Sequence, residues 1–244
     1  METPTAVSQS PGGERGKLSA LLALALLVPI PSIGTTVAMQ MQATSGTVGQ
    51  VVFGLCKIAL LAFPALWLVC VDHGRLSLSR PQRGGFGVAI LLGVVISVVI
   101  IAAYLLVGRA WIDADVLREA VKRNGIGTPL RYVAFVTFLS LVNSAMEEYV
   151  WRWFVFRKCE VMFGAVAAVV LSALLFTVHH VIALRAQFGW DVTLLASAGI
   201  CVGGAAWSWC YLKYRSIWPG YVSHLIVDAT VFVIGWKLIF GGAG

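Results

Sequence analysis

Five side chains spread over three otherwise apolar stretches could do acid-base chemistry together: Glu147 and Glu148, His180, and His224 with Asp228. A carboxylate facing an imidazole is the equipment for activating water by general base catalysis. A second imidazole, with its tautomer fixed by a carboxylate one helical turn away as His224 is by Asp228, could stabilise a developing oxyanion. Ionisable groups inside apolar spans are costly unless paired or hydrated, which makes each of them a functional-site candidate. On an α-helix Glu148 and Arg152 sit at i and i+4, in one polar stripe with Ser140 and Ser144. Arg152 is therefore the expected partner of Glu148. Glu147 points about 100° away round the helix, with only Asn143 one turn behind it, and is the carboxylate left free for chemistry.

Positioning these groups requires helices in a bilayer. The 244 residues are 59% hydrophobic and 12% charged, with a mean hydropathy of +0.87, which excludes an ordinary soluble domain. The expected fold class is all-α: a polytopic membrane helix bundle of about seven transmembrane helices plus one interfacial amphipathic helix. The net charge of +7 comes from Lys and Arg between the spans, so it is read as topology signal and contact with lipid headgroups, and no nucleic-acid partner is expected. Five cysteines without CxxC spacing indicate no structural disulfide.

Along the chain, residues 1–17 form a polar tail expected to be disordered. Spans follow at residues 18–39, 51–71 and 86–107, the first two joined by a charge-free loop. The run after Arg15 and Lys17 also has the form of a secretory signal, but it is longer than such a signal needs and is read as a retained helix kinked by Pro29 and Pro31. Lys57, near the expected start of the second span, would snorkel to the interface. Residues 108–130 alternate apolar and charged positions, as an amphipathic helix in the interface plane does, ended by Asn124-Gly125. The fourth span, residues 132–156, holds the Glu pair and leads into a basic turn at Arg157 and Lys158. Spans at residues 164–184 and 192–212 follow, and Gly199 and Gly203 offer the latter a small-residue face for close helix approach. The seventh begins at Ile217. This gives a tail (1–17), an N-terminal group of membrane and interfacial helices (18–131) and a catalytic membrane core (132–240). With a cytoplasmic N-terminus, nine Lys and Arg flank the spans on the inner side and seven on the outer. Five of the outer seven come from the amphipathic segment and Arg131, and without them the count is nine against two, in keeping with the cytoplasmic N-terminus.

If the fourth and fifth spans form a hairpin turning near Phe163-Gly164, Glu147 and His180 reach the same depth. His179 has no such partner and is read as a packing residue. Neither a serine nucleophile elbow nor an HExxH metal motif is present.

Glu147-Glu148-xxx-Arg152, Phe176-xxx-His180 and His224-xxx-Asp228, in that order, resemble the three motifs of the CAAX-processing and bacteriocin-processing (CPBP, or Abi) membrane proteases, which include the type II prenyl endopeptidases. The resemblance spans about Tyr132 to Gly235. It implies a glutamic-type intramembrane endopeptidase in which Glu147 and His180 activate water, His224 and Asp228 form the oxyanion site, and Glu148, Arg152 and Phe176 brace it. The last position is often Asn in these enzymes, and an ionised Asp cannot donate to an oxyanion, so Asp228 must be protonated or act by orienting His224. No cofactor is expected, with Zn²⁺ on Glu147, His180 and His224 the less favoured possibility. The expected partners are the lipid bilayer, in a bacterial plasma membrane, and a membrane-associated protein or peptide substrate: a prenylated C-terminal peptide, a secreted peptide precursor or a C-terminal anchoring signal. Two further functions use the same scaffold, a non-catalytic immunity or chaperone-like membrane protein and an ion or proton pathway.

Overall fold

The computed structural model describes residues 13–41, 46–77 and 79–241, excepting the side chains of residues 39–41, 46 and 47. Seven helices are long and apolar enough to cross a membrane. They are α1 (Glu14–Ala38), α2 (Val48–Cys70), α3 (Phe86–Trp111), α5 (Pro129–Phe163), α6 (Ala165–Arg185), α7 (Trp190–Tyr214) and α8 (Ile217–Phe240). The short α4 (Ala114–Arg123) is the amphipathic helix. Its start is capped by Asp113, which accepts hydrogen bonds from the backbone N–H of Asp115 and Val116, and it stops before Gly125 at φ 72°. No strand occurs among the described residues, and the all-α membrane bundle is as expected from hydropathy.

The differences lie at the boundaries. Residues 1–12 of the expected tail lie outside the described residues, but α1 begins at Glu14, four residues early, and turns at Val28 before Pro29. The expected first loop narrows, because helix reaches Met41 from one side and begins at Gly46 on the other. The basic turn at Arg157 and Lys158 is instead helix. With 35 residues, α5 is about 50 Å long at 1.5 Å per residue, well over the ~30 Å of a hydrocarbon core. Its last turns can therefore carry polar groups beyond the hydrocarbon. Lys158 pairs with Asp72 at 2.5 Å, Asp72 also accepts from Ser19 Oγ at 3.0 Å, and Glu160 receives both Nη groups of Arg215 at 2.7 Å. These contacts tie α1, α2, α5 and α7 together at one end of the bundle.

At the bundle's centre, α5 packs against α1, α2, α6, α7 and α8, and Val155 and Phe156 on it are fully buried. It ends at Phe163, and α6 starts at Ala165 after Gly164 at φ 83°. Such a left-handed φ suits a residue without a Cβ. This is the hairpin that levels Glu147 with His180. Four hydrogen bonds among the described residues hold α5 to α8: Tyr132 Oη to the Phe232 carbonyl (3.0 Å), Tyr221 Oη to the Leu141 carbonyl (2.9 Å), Ser144 Oγ to Asp228 Oδ2 (2.5 Å) and His224 Nδ1 to Glu148 Oε1 (3.1 Å). The small buried residues Ala89, Gly93 and Ser97 of α3 let it lie closely along α8, where Thr230 Oγ1 donates to Ser97 Oγ at 2.8 Å. The close approach between α6 and α7 falls at Gly204, where a Cβ would come within 3.1 Å of Phe176, rather than at Gly199 or Gly203.

A candidate active site between α2, α5, α6 and α8

Two wide, π-helical turns, Leu139–Asn143 and Glu148–Phe156, flank the four α-helical residues Ser144–Glu147. Such turns are uncommon and recur at functional sites, because they shift the register of every side chain beyond them. Ser144, Glu148 and Arg152 of the expected polar stripe are all buried. Ser144 meets Leu139 O and Asp228, while Glu148 meets Arg152 and His224.

Glu148 and Arg152 are fully buried, and Arg152 Nη1 lies 3.2 Å from Glu148 Oε1. The guanidinium also donates from Nη2 to the Gly204 carbonyl at 3.3 Å and lies beside two rings, 4.6 Å from the centroid of Phe176 and 5.1 Å from that of Trp207. Each ring offers a cation–π contact of about 0.5–2 kcal/mol. On its other side Glu148 Oε1 takes the Nδ1 hydrogen of His224 at 3.1 Å. Its Oε2 lies against Gly220, where a Cβ would stand 2.7 Å from that oxygen.

His224 is thus oriented by Glu148 and not by Asp228, as its own helix had implied. The carboxylate of Asp228 is 3.7 Å from Nε2, beyond hydrogen-bond reach, and is held by Ser144. Trp207 stacks on the imidazole with centroids 3.9 Å apart and planes 17° from parallel, and its own Nε1 is anchored on Ser223 Oγ at 3.1 Å. With Nδ1 engaged, Nε2 faces Glu147 Oε2 and Asp228 Oδ1, each at 3.7 Å.

Glu147, His179 and His180 offer one oxygen and two nitrogens within 4.8 Å of one another. All three, with His224 and Asp228, line a cavity of about 360 Å³ whose other walls come from α1 and α2. Neither His180 Nε2 nor His179 Nδ1, both buried, has a hydrogen-bond partner among the described residues. Phe176 sets the His180 ring edge-on at 4.6 Å, and His179 lies flat on Trp151, planes 5° apart. The structure therefore gives His179 the packing contact expected of it and also a place in the cavity wall.

Five candidate side chains from three helices, Glu147, His180, His224, Asp228 and the Glu148 behind them, gather at one place, with Arg152 and Phe176 against them. Sequence reasoning missed Trp207, Gly204 and Gly220, which carry no charge and sit in apolar surroundings. It also misplaced Lys57. The second helix begins earlier than expected, so Lys57 lies about 13 Å along it at 1.5 Å per residue. Its Nζ does not reach for the interface but donates to Asn143 Oδ1 at 2.6 Å in the cavity wall, and Asn143 Nδ2 donates to Glu147 Oε1 at 2.7 Å.

A carboxylate with two imidazoles is a donor set that zinc accepts, with a fourth position open in catalytic centres. The residues that would hold such an ion are Glu147, His179 and His180 rather than the expected Glu147, His180 and His224. His179 Nδ1 and His180 Nε2, without hydrogen-bond partners among the described residues, fit that use.

Residues 129–230 match the family model described as type II CAAX prenyl endopeptidase Rce1-like. That stretch is similar to Rce1-like domains, the family the three motifs resemble, and it contains the α5 and α6 residues of the cavity together with His224 and Asp228 of α8. No curated protein and no solved structure matches the chain.

Proposed function

We propose, from the match of residues 129–230 to a model of an endopeptidase family, that this chain hydrolyses a peptide bond of a membrane-associated protein or peptide precursor within the bilayer. The observation that carries the reading is the convergence of Glu147, His180 and His224 on one cavity inside seven apolar helices. Glu147, assisted by His180 Nε2, takes a proton from water, and the hydroxide adds to the scissile carbonyl carbon. The resulting oxyanion receives a hydrogen bond from His224 Nε2, whose ring is held by Glu148 and Trp207. Asp228, bonded to Ser144, sets the field at that nitrogen. As the C–N bond breaks, Glu147 returns its proton to the departing amine. Glu148, Arg152 and Phe176 hold the α5 side of the site rigid.

The direct test is cleavage by the purified chain, in a bacterial lipid bilayer, of a quenched fluorescent peptide with a farnesylated cysteine four residues from its carboxyl terminus. Cleavage that vanishes with Glu147→Gln supports the reading. Cleavage that survives it removes the proposed base. A second reading is favoured by His179 Nδ1 and His180 Nε2, which have no hydrogen-bond partner among the described residues: a Zn²⁺ ion on Glu147, His179 and His180. When bound, such an ion would lower the pKa of its water and polarise the carbonyl. Metal-free water activation is placed first because the hydrogen bond from Asn143 already aims Glu147.

A further inference from the structure

Lysine in the middle of a membrane helix is costly, and a free side chain of its length would carry its charge to the interface. Lys57 does neither, because its ammonium sits 5.5 Å from the Phe53 ring centroid and donates to Asn143 at 2.6 Å. Among the residues lining the cavity it is the one Lys or Arg. A lysine ammonium has only donors and an ionised carboxylate only acceptors, so an amide between them can satisfy both in one orientation: oxygen to Lys57, nitrogen to Glu147. That is the orientation present. Asn143 thereby occupies Glu147 Oε1 and leaves Oε2 on the side of His224 Nε2, 3.7 Å away. Glu148 has Arg152 for its counter-charge. Glu147 has no such cation on α5, and Lys57, reaching across from α2, supplies one.

We propose that Lys57 and Asn143 are positioning residues for the water-activating carboxylate: the Lys57–Asn143–Glu147 relay fixes which oxygen of Glu147 faces the reacting atoms, so that α2, outside the matched residues 129–230, completes the site. This rests on the endopeptidase reading above. Both positioning residues act through Glu147. Losing the relay lets the carboxylate rotate, and a displacement of about 1 Å at a reacting group can cost ~100-fold in rate.

The experiment uses the full chain and the farnesylated quenched peptide, with wild type and Glu147→Gln as controls. Lys57→Met is expected to lower kcat by ~10–100-fold with KM changed less than about twofold, since uniform binding is untouched. Lys57→Arg, which keeps the charge and the donors, restores most of the rate. Asn143→Leu cuts the relay from the other end and serves if Lys57→Met does not fold. The double variant falls no further than the worse single one, because the relay acts as a unit. A Lys57→Met enzyme with wild-type kcat, a change in KM alone, or multiplying single effects would each overturn the proposal.

A double-mutant cycle of Lys57→Met and Glu147→Ala, which removes the acceptor of the relay, followed by thermal unfolding in detergent, needs no substrate. Coupling above about 1 °C supports the relay, and additivity within about 1 °C overturns it. If wild type leaves the peptide intact, the endopeptidase reading fails while the unfolding cycle still decides the relay.

Discussion

His224 lies flat on Trp207, with ring centroids 3.9 Å apart. The tryptophan comes from α7, which contributes no ionisable group to the cavity, and its indole N–H is fixed on Ser223, the residue preceding His224. One face of the imidazole is covered, and Glu148 takes Nδ1. The ring therefore presents only Nε2 to the cavity. Stacked aromatic pairs contribute about 0.5–1.5 kcal/mol beyond burial, so Trp207→Leu should lower kcat by ~3–10-fold, with Trp207→Phe in between. Steady-state cleavage kinetics measure it.

Glu147→Gln should remove at least ~100-fold of the rate, the contribution expected of a general base. The folded yield should stay near wild type, because a glutamine amide oxygen can still accept from Asn143 Nδ2 and Glu147 is no part of the Glu148–Arg152 pair. Size-exclusion chromatography alongside the assay separates the two effects.

The Glu148–Arg152 pair behaves differently. Both groups are wholly buried, and removing one partner leaves the other charged in an apolar interior, at a cost of about 3–5 kcal/mol. Arg152→Ala should therefore lower the unfolding midpoint as well as activity. Replacing both, with Glu148→Gln and Arg152→Met, should recover much of the folded protein without recovering cleavage, since His224 then loses its ionised partner.

Gly220→Ala adds one methyl group beside Glu148 Oε2, at 2.7 Å. The carboxylate has no room to retreat, being held between Arg152 and His224. A loss of about 1–3 kcal/mol is expected from overpacking of this kind, read as a lower unfolding midpoint, together with reduced kcat.

His179 discriminates between direct and metal-assisted water activation. In the direct reading its contact with Trp151 matters most, and His179→Phe keeps that stack and most of the activity. If an ion is held by Glu147, His179 and His180, the same variant loses both the ion and the activity. Elemental analysis of wild type and variant, before and after chelation, gives the answer independently of rate.

How far the sequence foretold this arrangement depends on what kind of signal each feature leaves. Hydropathy marks spans, and a glycine between two apolar runs marks a turn, so the seven helices and the Phe163-Gly164 hairpin were legible, and with them the common depth of Glu147 and His180. Paired charges at i and i+4 likewise announced Glu148 with Arg152. A helical wheel put Ser144 in one stripe with Glu148 and His224 in another with Asp228, and the structure lays the two stripes together, Ser144 on Asp228 and Glu148 on His224. Which residue of the facing helix each would meet leaves no mark in either stretch. Lys57 was misread because a shift of a few residues in a helix start moves a side chain from the edge of a membrane to its interior. Trp207, Gly204 and Gly220 act through shape alone, and among apolar neighbours shape cannot be told from filler without the packing itself.

The cavity's walls have two origins. The acidic and imidazole side chains proposed to handle protons stand on α5, α6 and α8, while Pro31, Gly34 and Thr35 of α1 and Phe53, Cys56 and Leu60 of α2 form the facing side. Apart from Lys57, that facing side is a lining that a guest chain would meet without any share in bond breaking. Preference for one guest over another can thus drift through changes in the first two helices while the hydrolytic apparatus stays as it is.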